Sequence, residues 1–189
     1  MHGSVARMTA LIDALLGYAR TGAQVVAPEP VDLGAVLDLV LVDLRTGIEQ
    51  TGARVGATAP LPVVEADAVQ LRQLLQNLVA NALVHSRPGQ PPTVRCSAEP
   101  SADGWVVAVA DDGVGIPADR REAVFRMFER AGDRPQTAGT GIGLATAHRI
   151  VTRHGGRVWV EETPGGGATV RFTLPQPRSA VAAPSDARA

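Results

Sequence analysis

The sequence predicts an α+β protein, a two-layer sandwich in which helices pack on antiparallel strands around one core. Stretches with apolar residues at three- and four-residue spacing are interleaved with stretches that alternate strictly, in the order helix, helix, short strands, helix, hairpin, short helix, loop, helix, hairpin. The strand-like stretches come as hairpins joined by Gly-containing turns, which pairs neighbours antiparallel. A chain of 189 residues with 45% hydrophobic and 20% charged content can bury a real core, and its length suits one domain plus an appendage.

Charge and composition remove several functions. The net charge is −1, which argues against a general nucleic-acid binder and a polybasic membrane anchor. All 18 basic residues are Arg, so any cationic contact to a phosphate must come from Arg. Cys96 is the single cysteine; it stands in an alternating run and reads as a small core residue. No stretch approaches the ~18 consecutive apolar residues of a membrane helix, and the N-terminus lacks a signal-peptide layout, so a cytoplasmic chain is expected.

Taken in order, Ser4–Arg20 reads as a helix with a stripe of Val5, Met8, Ile12, Leu15 and Ala19, widened by Leu11 and Leu16. That stripe suits a helix bundle or a helix laid on its own domain. Thr21-Gly22 ends it, and a linker runs to Pro30. Asp32 is a good N-cap for a helix over Leu33–Gln50, and Asp67 for one over Ala68–His85. Between them lie a short strand over Arg54–Ala59 and a shorter one at Val63-Val64. Thr93–Ala98 and Trp105–Ala110 form a hairpin. Pro117 opens a short helix reaching Phe128, Glu129–Gly139 is a mobile loop, and Gly141–His154 is helical. Arg157–Glu162 and Ala168–Leu174 make the last hairpin, and Gln176–Ala189 has too little apolar surface to order itself.

Three constellations carry chemistry. Asn77 and Asn81 are one helical turn apart on an otherwise apolar face, where two amides either bond to backbone or bind a hard cation such as Mg²⁺. Asp111-Asp112-Gly113-Val114-Gly115-Ile116 fixes a carboxylate at a strand end beside backbone that a flat base can approach. Gly139-Thr140-Gly141-Ile142-Gly143-Leu144 opens a helix, which suits either phosphate binding or a flexible hinge. It follows no strand, which excludes a dinucleotide Rossmann turn, and no Gly-Lys-Ser/Thr is present for a P-loop.

In that order, and with Phe125-Arg126-Met127-Phe128 between the second and third, these stretches resemble the N, G1, F and G2 boxes of sensor histidine kinases, in their ATP-binding catalytic domain of the GHKL superfamily. The resemblance covers about Val31–Pro175, and the leading helix is similar to the second helix of that family's dimerisation and phosphotransfer bundle. It implies a Bergerat ATP-binding fold, with three main helices over a mixed, largely antiparallel sheet, preceded by one bundle helix. The implied layout is a partial dimerisation helix over 1–21, a linker over 22–30, the ATP-binding domain over 31–175 and a disordered tail over 176–189.

The implied cofactors are ATP and Mg²⁺. Asp111 resembles the acceptor for the adenine amine, with Gly113 and Gly115 giving the base room, and Asn81 resembles the metal ligand, with Asn77 beside it in the catalytic pocket. His85, Ile116, Arg130, Arg134, Gly139, Thr140, Gly141, Ile142, Gly143 and Leu144 complete the implied nucleotide contacts, and Phe125 and Phe128 resemble the apolar anchor of the ATP lid. Many members carry Lys or Arg where Val84 stands here, so a cationic contact falls to Arg87, Arg130 or Arg134. The family's phosphoacceptor, a His followed by an acidic residue and a nearby Pro, is not in this sequence. The acceptor helix is therefore expected from further sequence or another chain, with a response regulator downstream and a homodimer formed through the N-terminal helix.

Other readings share the site: a hydrolytic ATPase of the gyrase and mismatch-repair kind, an anti-sigma-type serine kinase, or a non-catalytic nucleotide-binding regulator. The first uses a Glu as base one turn before the metal Asn, and that position here is Asn77, which cannot take a proton. The second normally lacks the leading helix.

Overall fold

The computed structural model describes residues 8–9, 11–12, 15–19, 26–129 and 140–175. Residues 8–9, 11–12 and 15–19 are helical (α1), inside the span predicted as a helix; the rest of that span, residue 21, residues 22–25 of the linker and the tail over 176–189 lie outside the described residues. The elements that follow are β1 (Glu29–Asp32), α2 (Leu33–Asp43), α3 (Arg45–Thr51), β2 (Arg54–Ala57), β3 (Val63–Ala66), α4 (Ala68–Val84), β4 (Thr93–Ser101), β5 (Gly104–Asp111), α5 (Gly143–Arg153), β6 (Val158–Glu162) and β7 (Ala168–Pro175). Five strands form one sheet in the order β2-β4-β5-β7-β6, and β1 pairs with β3 in a separate antiparallel ribbon.

Both aspartate caps form as expected. Asp32 stands in extended conformation and its Oδ1 accepts from the amides of Gly34 (2.7 Å) and Ala35 (3.2 Å). Asp67 Oδ1 accepts from the Gln70 amide at 3.0 Å. Each satisfies donors that a helix start leaves without intrahelical partners. The caps fix where α2 and α4 begin, and hence which stripe faces inward: Leu33, Val36, Leu37 and Val40 on α2, with Leu71, Leu74, Leu75, Leu78, Val79 and Ala82 on α4.

These stripes cover one face of the sheet, where Val94, Cys96, Val107, Val109, Val170 and Phe172 are buried in the same core. Burial pushes the Cys96 thiol up to about 12, so it stays a neutral core residue. β2 and β4 run parallel, which needs a crossover, and α4 supplies it. The other strand pairs in this sheet are antiparallel. On the opposite face Arg171 bonds to Glu161 (2.8 Å) and reaches Glu99 (3.9 Å), while Trp159 Nε1 donates to Glu161 (2.7 Å). These exposed pairs add little stability and keep that face polar.

Beyond shifts of one or two residues at other element ends, β2, β3 and α5 among them, four stretches differ from the sequence reading. The last residues of the predicted linker form β1, because Val31 is buried against β3 (Val31↔Val64). The helix predicted over Leu33–Gln50 breaks at Leu44, whose ψ of 6° leaves the helical well; α3 contains Gly47 and buries nothing, so neither propensity nor packing holds it in line with α2. The helix predicted from Pro117 to Phe128 is instead two 3₁₀ turns, Ala118–Arg120 and Ala123–Phe125, because Arg126 is extended and Phe128 is left-handed (φ 66°). The first hairpin runs further than predicted, with Ser101 paired to Gly104.

α1 lies on the helix layer. The Tyr18 carbonyl accepts from Arg149 Nη1 at 3.4 Å, and the Arg149 guanidinium sits 4.5 Å from the centre of the Tyr18 ring. Its Met8, Ile12, Leu15 and Leu16 side chains are exposed.

Gln70 is 1% exposed, and neither side-chain amide atom has a hydrogen-bond partner among the described residues. A buried amide without partners costs about 1–3 kcal/mol. Gln70→Met keeps the volume and removes both polar atoms, so it should raise Tm in a thermal melt; a lower Tm would show that the amide is satisfied in solution.

Candidate functional site

β5 carries its chain out of the core and ends on Asp111, paired with Val94 of β4. The Asp111 Oδ1 accepts from two backbone amides, Gly113 (2.8 Å) and Ala168 (3.1 Å), so one oxygen stitches the loop after β5 to the start of β7. Among the described residues the other oxygen, Oδ2, accepts nothing. Burial pushes this carboxyl above the usual carboxylate range, against the pull of the two amides; the neighbouring Asp112 adds to the rise and His85 opposes it.

The two glycines of this loop answer to the protein's own backbone. A Cβ on Gly113 would lie 2.5 Å from the His85 carbonyl oxygen, and the Val114 amide donates to that same oxygen at 3.0 Å. Gly115 has φ 75°, and a Cβ there would lie 3.2 Å from the Gly167 carbonyl oxygen. At these two positions the direction a side chain would take is occupied by the C-terminus of α4 and by the β6–β7 turn. Arg87 fastens the same pieces: its Nε donates to the Gly113 carbonyl (2.9 Å) and its Nη2 to the Gly165 carbonyl (3.3 Å). With Nε and Nη2 on those carbonyls, Arg87 clamps the Asp111 loop to the β6–β7 turn.

The opposite end of the site is built on α4 and α5. Asn77 and Asn81 are half-buried on one face of α4. The Asn77 Nδ2 is buried without a hydrogen-bond partner among the described residues, and a Cβ on Gly143 would stand 3.9 Å from its Oδ1, so Asn77 lies against the first residue of α5. Among the described residues no side chain caps α5. Its first amides and the positive end of its dipole therefore lie beside the Asn77 amide without a partner among those residues.

Within the Gly-rich stretch the residues divide. Ile142 is 1% exposed and sits in the core, and Leu144 packs against that core, so their side chains hold the helix start in place. The Ile142 amide is turned to Thr140 Oγ1 at 3.4 Å. Gly141 has φ 69°, and its carbonyl accepts from the Phe128 amide at 2.9 Å. That bond ties the two ends of the loop over 129–140 together. Phe125 is half-buried with its ring 5.9 Å from that of His148, while Phe128 is 60% exposed among the described residues. Ile116 packs against the core beside the first loop. Arg130, Arg134 and Gly139 lie outside the described residues.

α4 thus spans the site: His85 at its C-cap lies under the Asp111 loop, and Asn77, about 12 Å back along the axis, lies under the start of α5. A flat donor fits the free carboxylate oxygen at one end, and anionic oxygen fits the uncapped helix start and the orphaned amide at the other. Asn81 adds a hard oxygen between them; no cluster of three acidic, His or Cys ligands occurs among the described residues. Sequence reading missed Arg87 as a clamp and the Ala168 amide as a partner of Asp111. The run Pro164-Gly165-Gly166-Gly167, longer than a tight hairpin needs, was the available signal.

Comparison with known proteins bears on the same span. The chain is 40% identical over 171 residues to cyanobacterial phytochrome A of Nostoc sp., covering 90% of this chain and 22% of that relative. Among solved structures, full-length ShkA in complex with AMPPNP superposes with a TM-score of 0.71 at 31% identity, covering 87% of this chain and 35% of that one. The mycobacterial sensor histidine kinase MprB gives 0.67 at 28% identity, covering 79% and 97%. The chain spans about a fifth of the length of the first curated relatives it matches. Residues 66–178 match the histidine kinase-, DNA gyrase B-, and HSP90-like ATPase domain, a span longer than half the chain that takes in α4, Asp111 and α5, and the chain belongs to that family.

Proposed function

We propose that this chain is the ATP-binding catalytic part of a sensor histidine kinase, which passes the γ-phosphoryl of Mg²⁺-ATP to a His on a helix outside this sequence. One observation carries the reading: α4 joins a carboxylate with a free Oδ2, on Asp111, to an uncapped helix start beside the orphaned Asn77 Nδ2. Asp111 Oδ2 accepts from the adenine amine, and the α5 amides and Asn77 meet the phosphates. Asn81 supplies an amide oxygen to Mg²⁺, which when bound neutralises phosphate charge. Arg130 and Arg134 are candidates for a cationic phosphate contact. ShkA, the similar protein solved with AMPPNP, supports the nucleotide assignment.

Transfer is favoured over hydrolysis by Asn77, whose amide cannot serve as a base. The acceptor is expected in trans or in further sequence. His154 is committed on both ring nitrogens, to the Ile150 carbonyl (2.8 Å) and the Asp67 amide (3.1 Å), and the His148 ring lies against Phe125. The exposed apolar side chains of α1 support its role as one helix of a dimerising bundle, followed by a linker, the ATP-binding domain and a tail. A related structure pairs a histidine kinase with a response regulator, and a receiver of that kind is the downstream partner we infer. No helix among the described residues is long and apolar enough to cross a membrane, and dependence on ATP points to the cytoplasm.

Radiolabelled ATP should give acid-labile label on an added acceptor-helix partner and none on this chain alone; label on the isolated chain would overturn the assignment. Asp111→Asn keeps an oxygen for the two amides but turns a donor towards the adenine amine. It should weaken ATP binding roughly 10- to 100-fold by calorimetry, and undiminished affinity would remove Asp111 from this role.

The same variant has a definite sign for stability. Burial raises the Asp111 pKa in the folded state, so the folded form holds its proton more tightly than the unfolded one. Its contribution to stability is greatest below the unfolded pKa and falls as pH rises through the folded one. At neutral pH, Asp111→Asn should therefore leave Tm unchanged or higher. ATP affinity of the parent should decline on acidification at a higher pH than an ordinary carboxylate gives. Asn81→Ala should abolish the gain in ATP affinity on adding Mg²⁺, measured by titration with and without the ion.

A further inference from the structure

One edge of the five-stranded sheet lies at β2, two strands from the β5 that carries Asp111, and beside it is an open groove of about 680 Å³. Its apolar floor is Leu41 and Ile48 from the helix layer and Val55 from the strand itself. The parallel ladder uses alternate residues: the Arg54 amide donates to the Pro92 carbonyl (2.8 Å) and the Thr58 amide to the Cys96 carbonyl (2.9 Å), both on the β4 side. In such a ladder the intervening Val55 and Ala57 turn their N–H and C=O groups outward, into the groove. Nothing stands within 4 Å of the Cβ position on Gly56, so another backbone can come close there.

Charge selects the occupant. Arg45, Arg54 and Arg95 line the groove against one acid, Glu49, and Arg45 reaches Glu49 only at 3.9 Å with both side chains largely exposed. Arg54 and Arg95 make no ion pair among the described residues. Short charged edge strands ordinarily repel other strands, but a plain repelling edge does not stand beside an open apolar trough. A second copy pairing edge to edge would bring the three Arg of each chain together, which like-charge repulsion opposes.

We propose that the β2 edge is a docking site for an extended acidic segment of a partner protein, which adds a sixth strand next to Val55 and Ala57 and sets its carboxylates against Arg54 and Arg95. Backbone pairing supplies the adhesion and the arginines the preference for acidic sequence.

The test uses the whole chain, labelled with ¹⁵N, and three synthetic six-residue peptides: one alternating glutamate and valine, one alternating lysine and valine, and the acidic one with every backbone nitrogen methylated. The acidic peptide should shift the amide signals of Val55–Thr58 most and slow hydrogen exchange at Val55 and Ala57. The lysine and N-methylated peptides should not. The double variant Arg54→Glu, Arg95→Glu should lose roughly tenfold or more in affinity for the acidic peptide while keeping the parent's Tm and ATP affinity. Absence of binding, binding that survives N-methylation, or shifts centred away from β2 would each overturn the proposal. So would protection of β2 by self-association without peptide, which would assign the edge to a second copy.

Discussion

One carboxylate oxygen holds together the segments that would otherwise diverge at the top of the sheet. Asp111 Oδ1 receives the Gly113 amide from its own loop and the Ala168 amide from the beginning of β7. Without it, two buried backbone donors lose their acceptor and the loop after β5 has no fixed distance from the β6–β7 turn. Arg87 reinforces the same junction from the side of α4, by gripping the carbonyls of Gly113 and Gly165. The arrangement separates two duties within one side chain. Oδ1 is structural, and Oδ2 is the oxygen proposed for the adenine amine. A group that performs both must be a carboxylate, since a hydroxyl has too few acceptor sites for the geometry.

The strain of this arrangement is electrostatic. Placing an ionised group where water is scarce raises its pKa, and the two amides only partly offset that. The fold tolerates a costly charge at the point where recognition of an exocyclic amine is proposed. Around it the supports are rigid: the inner sheet face with Phe172 fully buried, and α4, which fixes both ends of the site on one rod. Sites carried on helices and strand ends keep their geometry better than sites carried on loops.

Much of this was legible in the residues, and what was not has identifiable causes. Asp32 and Asp67 announced their helices because capping is a local interaction, complete within four residues. β1 was read as linker because its pairing with β3 joins positions far apart in sequence and its Pro30 looks like a breaker. The 3₁₀ turns before Phe128 were read as one helix because apolar spacing cannot register a left-handed backbone at an aromatic residue. Ile142 sat inside a Gly-rich motif and was expected at the nucleotide, yet burial took its side chain into the core. For Gly113 and Gly115 the sequence indicated that something must approach closely. It could not say that the His85 carbonyl and the Gly167 backbone would be among those neighbours.

The bond from the Phe128 amide to the Gly141 carbonyl has a consequence for how this chain can vary. It closes a ring at its neck, so the entropy of bringing the two ends together is met once, by a fixed contact in the body of the domain. Under ring-closure statistics, doubling the number of residues in such a loop costs only about 0.6 kcal/mol. Changes in the number of residues between Phe128 and Gly141 are therefore expected to cost the closing contact little. Length polymorphism among relatives is expected to gather at that neck, because the bond that closes it lies between two described residues of the domain body.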